Sequence, residues 1–133
     1  MLVLLQLMKK QKKLNRRIIK NKIKMKNKII TFVRENTWLN FREHGWGNGY
    51  AVVFKGHPAY GKHYLDIDVY VHGGLTYADS VNSSNWDGLT EEMKDGWIVG
   101  FDTCHINDTQ SNWSKKQVLK ETENLKEQLE KMV

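Results

Sequence analysis

In residues 65–72, LDIDVYVH, apolar Leu65, Ile67, Val69 and Val71 alternate with Asp66, Asp68, Tyr70 and His72. A period of two is that of a strand with one face buried. The segment therefore predicts the central strand of a sheet, with one face in the core and one able to carry chemistry. Gly73 and Gly74 end it where the backbone must turn or lie close to another group. A second stretch, residues 97–108, WIVGFDTCHIND, begins as a short apolar strand over 97–101 and runs out into Asp102, Cys104, His105 and Asp108. The candidate site is where these two strand ends converge.

At 133 residues and 15.6 kDa the chain has the length of one domain with an adequate core. Five Trp favour a packed fold over disorder, since each buries a large apolar area. A lone cysteine, Cys104, cannot close an internal disulfide, so a reducing compartment, the cytoplasm, is expected.

The net charge of +6 is unevenly placed. Residues 1–28 hold eleven Lys or Arg and no acid, which leaves the remainder with 10 basic and 15 acidic groups, a net of −5. An acidic body repels a phosphate backbone, so any nucleic-acid contact rests on residues 9–28. The apolar run 1–8 is far short of the ~20 residues of a membrane span. Its charges follow it rather than precede it, which is the reverse of a secretory signal. The basic run that follows reads as an arm for nucleic acid, a membrane-surface helix, a solvated helix, or an extension upstream of a start at Met25. Residues 1–24 are set apart as a basic extension on the last reading, and 25–133 as one domain. If ordered, the basic run is helical.

Residues 29–33 and 38–42 fit neither period cleanly, with helix favoured over strand. Residues 45–49, GWGNG, predict a turn, and 50–55, YAVVFK, a buried strand. That strand is expected to be an antiparallel neighbour of 65–72. Residues 76–95 read as a long polar connection with one helical turn over 90–94, capped by Thr90. Residues 114–132 carry the clearest helix. Ser114 and Gln117 make a capping box, Trp113 staples onto Val118, and Val118, Thr122, Leu125, Leu129 and Met132 form one apolar stripe. The order predicts an α+β domain: a small, mostly antiparallel sheet with the C-terminal amphipathic helix packed on one face.

On a strand, Asp66, Asp68, Tyr70 and His72 stand about 6.5 to 7 Å apart along one side. They form a candidate ligand face or a solvated face. Asp102, His105 and Asp108 offer a base and its orienting acid. No HxH, HxxxH or HExxH pairing and no phosphate loop or dinucleotide fingerprint occurs, so neither metal nor cofactor is assigned. Cys104 points away from His105 on an extended backbone and reads as structural. Trp46, Tyr50, Tyr60, Tyr64 and Tyr77 suit either a stacking pocket for a planar ligand or a small core.

The combination of GHPAYGK, HGGLTY and GWIVGFDTCH resembles a family of small proteins met in phages, prophages and bacterial genomes. The resemblance spans residues 37–129. It implies a phage or mobile-element association and no catalytic assignment.

The expected function is binding of a small polar, nucleotide-derived ligand, in sequestration or sensing during phage–host conflict. The ligand-binding residues are Asp66, Asp68, Tyr70, His72, Gly73, Gly74, Asp102 and His105. The alternatives are a hydrolase of phosphodiester or N-glycosidic bonds, with His72, His105 and Asp102 as catalytic candidates, and an interaction module for nucleic acid or protein working through the basic arm. Self-association is compatible with each.

Overall fold

The run Ile29, Ile30, Thr31, Phe32 and Val33 is β-branched or aromatic at every position, which suits a pleated surface. In the computed structural model, which describes residues 1–37 and 43–133, it forms strand β1 (Ile29–Glu35) rather than the favoured helix. Ile29 and Val33 pack against one apolar cluster, Ile30 and Phe32 against another. A strand apolar on both faces shows no alternation, so its period is hidden. The element expected over 38–42 lies outside the described residues.

Strands β2 (Gly47–Val53), β3 (Tyr77–Ser80) and β4 (Trp97–Phe101) complete an antiparallel sheet in the order β1-β2-β4-β3. Phe32 pairs with Tyr50, and Val99 stands between Ala51 and Ala78. Helices α1 (Leu2–Asn27) and α2 (Lys115–Lys131) flank the sheet in sequence, and α2 packs on β1 and β2. The domain is α+β, with a C-terminal helix against its sheet.

The turn expected over 45–49 is corrected: Gly47, Asn48 and Gly49 belong to β2. A Cβ at Gly49 would overlap the Thr122 hydroxyl of α2 and the Phe101 ring. The glycine serves close approach of the helix, not a turn.

Both faces of the sheet are covered. Ala51, Val53, Val99 and Phe101 face Val118, Leu125 and Leu129 of α2. Each such buried leucine contributes ~1.5–3 kcal/mol. Ser114 caps α2 by accepting from the Gln117 N–H, as the sequence predicts. Tyr50, Val52, Phe54 and Ile98 face Val81 and Met93, with Trp86 and Leu89 beside them. Residues 76–95 are thus the cover of the second face, and they supply β3. Their helical turn is a 3-10 turn, Glu91–Met93, preceded by Thr90, whose hydroxyl makes no capping bond.

The predicted central strand is the largest correction. A 3-10 turn, Tyr64–Asp66, is followed by extended chain that joins no ladder, and β2 pairs with β1 and β4 instead. The backbone of this segment bonds to side chains of α2. Gln128 accepts from Tyr70 N at 2.8 Å and donates to Tyr70 O at 2.8 Å, and Glu121 accepts from His72 N at 3.0 Å. Ile67, Val69 and Val71 do pack inward, whereas Leu65 is exposed. Alternation records which side is buried; it does not name the partner of the backbone.

Helix α1 carries the basic run, and every residue from 1 to 24 is exposed. No helix is long and apolar enough to cross a membrane among the described residues.

Candidate functional site

Beyond β4 the chain folds back on itself through its own acids. Asp102 Oδ1 accepts from Cys104 N at 2.9 Å, and Asp108 Oδ2 accepts from His105 N at 2.9 Å. Asp108 N in turn donates to His105 O at 3.0 Å, and Asn107 takes the left-handed φ of 73° between them. Asn tolerates that region better than most residues. This turn aims the Asp108 carboxylate back beneath the loop.

The other half of the site comes from the end of the extended segment. Gly73 and Gly74 have φ of 67° and 78°, and Gly74 N donates to Val71 O at 2.8 Å. The chain reverses there and His72 is turned toward Asp108. The imidazole of His105 lies where a Cβ on residue 73 would stand. Gly73 is required for both its dihedral and its missing side chain.

His72 Nε2 lies 2.8 and 2.9 Å from the two oxygens of Asp108, and His105 Nδ1 lies 3.2 Å from Asp108 Oδ2 and 3.5 Å from Asp102 Oδ1. Both ring nitrogens face acceptors, so each carries its hydrogen on that atom. The two rings meet edge to face at 5.2 Å, and Trp113 lies against His72 at 4.1 Å. Asp108 is 4% exposed, whereas the His72 and His105 side chains keep 24% and 36% of their surface. Burial pushes the Asp108 carboxyl up, but the His72 hydrogen bond and the His105 N–H outweigh it and hold the group below its ordinary range. A buried carboxylate therefore joins two partly exposed imidazoles. His105 and Asp108 also border a hollow of about 300 Å³ with Glu43, Ile106, Asn107 and Thr109.

Of the residues singled out in the sequence, His72, Gly73, Asp102 and His105 come together here, with Gly74 in the turn. Asp66, Asp68 and Tyr70 do not: they are exposed along the segment that faces α2. Asp108, read from sequence only as an orienting acid, is the hub, and Trp113, read only as a staple, walls the site. The H-x-x-D spacing of His105 and Asp108 is the sequence signal for the hub. Residues 76–95, the long polar connection, pack on the second face of the sheet through Val81 and Met93.

The remaining candidates are structural. His57 is buried; its Nδ1 accepts from Ala59 N at 3.0 Å, so Nε2 donates to Leu129 O at 2.8 Å. Cys104 is half-buried, with Sγ 3.6 Å from Asn36 Nδ2. Tyr50 and Tyr77 pack with Phe32 and Trp86, while Tyr60 pairs with Trp97 and Tyr64 with His63. Tyr50 and Tyr77 belong to the apolar cluster on one face of the sheet, and Trp46 and Tyr64 to that on the other.

The donor atoms of His72, His105 and Asp108 all lie within 4.8 Å of one another, a set able to hold a cation. No family model, curated protein or solved structure matches the chain.

Proposed function

We propose that the chain binds a small polar, nucleotide-derived molecule at the His72–Asp108–His105 cluster, and that it acts by sequestration or sensing. The observation that carries this reading is the sharing of one buried carboxylate by two imidazoles from separate segments, each with an exposed edge. Such a pair offers directed hydrogen bonds beside an open hollow. Trp113, whose ring lies against His72 at 4.1 Å and which also lines a groove along α2, brings an aromatic side chain to the edge of the cluster. The setting in phage–host conflict rests on the resemblance of HGGLT and GFDTxH alone. Incubation with a panel of nucleotides and cyclic dinucleotides, followed by heat release and chromatography, is expected to return one ligand intact. If no member of the panel is retained, the reading fails.

Hydrolysis of phosphodiester or N-glycosidic bonds is the second reading. It is favoured by the anchoring of His105 Nδ1 on two carboxylates, Asp108 and Asp102, which is the arrangement that orients an imidazole for acid–base work. Recovery of cleaved products in the same experiment would replace sequestration with catalysis.

A further inference from the structure

We infer that His72 Nε2, His105 Nδ1 and the Asp108 carboxylate form a binding site for one divalent transition-metal ion of the zinc class. The site involves the cluster described above but not its organic ligand.

The three donor groups come from two segments, and their ligating atoms lie within 4.8 Å of one another. The nitrogen-to-oxygen separations are 2.8 Å for His72 and 3.2 Å for His105. An ion with bonds of about 2.0–2.2 Å holds neighbouring tetrahedral ligands roughly 3.5 Å apart, so the donor atoms must shift by up to about 1 Å, and each ring must move the hydrogen it points at Asp108 to its other nitrogen as the ion enters. Two imidazoles and one carboxylate suit zinc, cobalt, nickel or ferrous iron, whereas calcium and magnesium prefer oxygen alone. Three protein ligands leave coordination positions open toward the His72 and His105 edges.

The surrounding structure already restrains the ligands. The His105 N–H holds Asp108 Oδ2, Trp113 lies against the His72 ring, and the His105 ring rests over Gly73. Asp102 Oδ1, 3.5 Å from His105 Nδ1, is near enough to take the hydrogen bond of a metal-bound water. A hydrogen-bonded clasp needs the same His72–Asp108 contact, but it gives no reason for a second imidazole to face the same carboxylate.

The test is titration of chelator-treated protein with Zn²⁺ and, separately, Co²⁺, with no nucleotide present. One ion per chain is expected by calorimetry, together with a visible Co²⁺ absorption band and an upward shift in Tm. His72→Ala and His105→Ala should each weaken binding by about tenfold or more, and His63→Ala should leave it unchanged. His105 is partly exposed, so its variant is expected to fold, and circular dichroism checks that it does. Failure of the parent to take up either ion, or equal uptake by a folded His105→Ala variant, overturns the inference. Nucleotide retention by chelator-treated protein that takes up no ion would refute the metal site alone. Metal uptake without retention of any nucleotide would refute the proposed ligand alone.

Discussion

Asp108 accepts from His72 through both of its oxygens, at 2.8 and 2.9 Å, across 36 residues of sequence. It also accepts from the backbone and ring of His105. A buried acceptor with this many donors is costly to remove, because each donor is left without its partner. Asp108→Ala is expected to lower stability by ~1–3 kcal/mol and to abolish binding. His105→Ala should cost ~1 kcal/mol or less while binding is still lost. Urea midpoints read beside ligand binding on both variants separate the two. Equal stability losses would mean that the cluster is a structural network.

His57→Ala is predicted to behave in the opposite way. Its ring bridges Ala59 N and the carbonyl of Leu129 in a buried setting. The variant should lose ~1–3 kcal/mol and keep its binding constant, measured under conditions where it remains folded. A His57→Ala variant as stable as the parent would show that these bonds contribute nothing net.

Gly73 and Gly74 allow a paired comparison. Both have positive φ, but a Cβ at 73 would overlap the His105 ring, while one at 74 meets nothing within 4 Å. Gly74→Ala should therefore pay only the dihedral strain, ~1–2 kcal/mol. Gly73→Ala should be worse by a further steric cost and should displace His105, which shows as lost binding and a moved imidazole resonance. Identical behaviour of the two variants would place His105 elsewhere.

The Tyr50 hydroxyl is pushed above its ordinary 10.0 by burial, against the lowering effect of its hydrogen bond to Asn48 and of nearby Arg34. A raised pKa means that the unfolded chain releases this proton first. The stabilisation is complete below about pH 10 and is lost as pH rises through the folded value. Tyr50→Phe lacks this dependence, so its stability should fall less steeply than the parent's between about pH 9 and about pH 11. Parallel stability curves would contradict the shift.

Deleting residues 2–24 is expected to change the stability of the remainder by less than ~1 kcal/mol, because each of them is exposed on α1. Thermal and urea unfolding of the shortened chain decide this. A larger loss would mean that the helix packs on the domain.

The parts of the fold legible in the sequence were those whose signal is local. Helix α2 announces itself through Ser114 and the stripe Val118, Thr122, Leu125 and Leu129, all of which are buried as the period requires. Strand β4 is legible as a bounded apolar run. Strand β1 is not, since Ile30 and Phe32 are as apolar as Ile29 and Val33 and both of its faces are covered. The segment 65–72 was legible in its burial and misread in its pairing, because Gln128, which satisfies Tyr70, lies 58 residues away on a helix. In the cluster, His72 and His105 were singled out as lying beyond two predicted strands, of which only the one before His105 forms. The central place of Asp108 was not, because it depends on the turn at Asn107 that carries the carboxylate back beneath the loop.

The attachment of residues 70–72 to α2 through side chains also bears on cooperativity. A segment held by the Gln128 amide, the Glu121 carboxylate and the burial of Ile67, Val69 and Val71 can detach without breaking a rung of the β ladder, although its apolar side chains must leave the core. His72 travels with that segment, while Asp108 and His105 stay with the chain that leaves β4. The cluster therefore draws its two halves from separate segments, one in the β ladder's continuation and one outside it, and a ligand that touched both would act as the fastener between them.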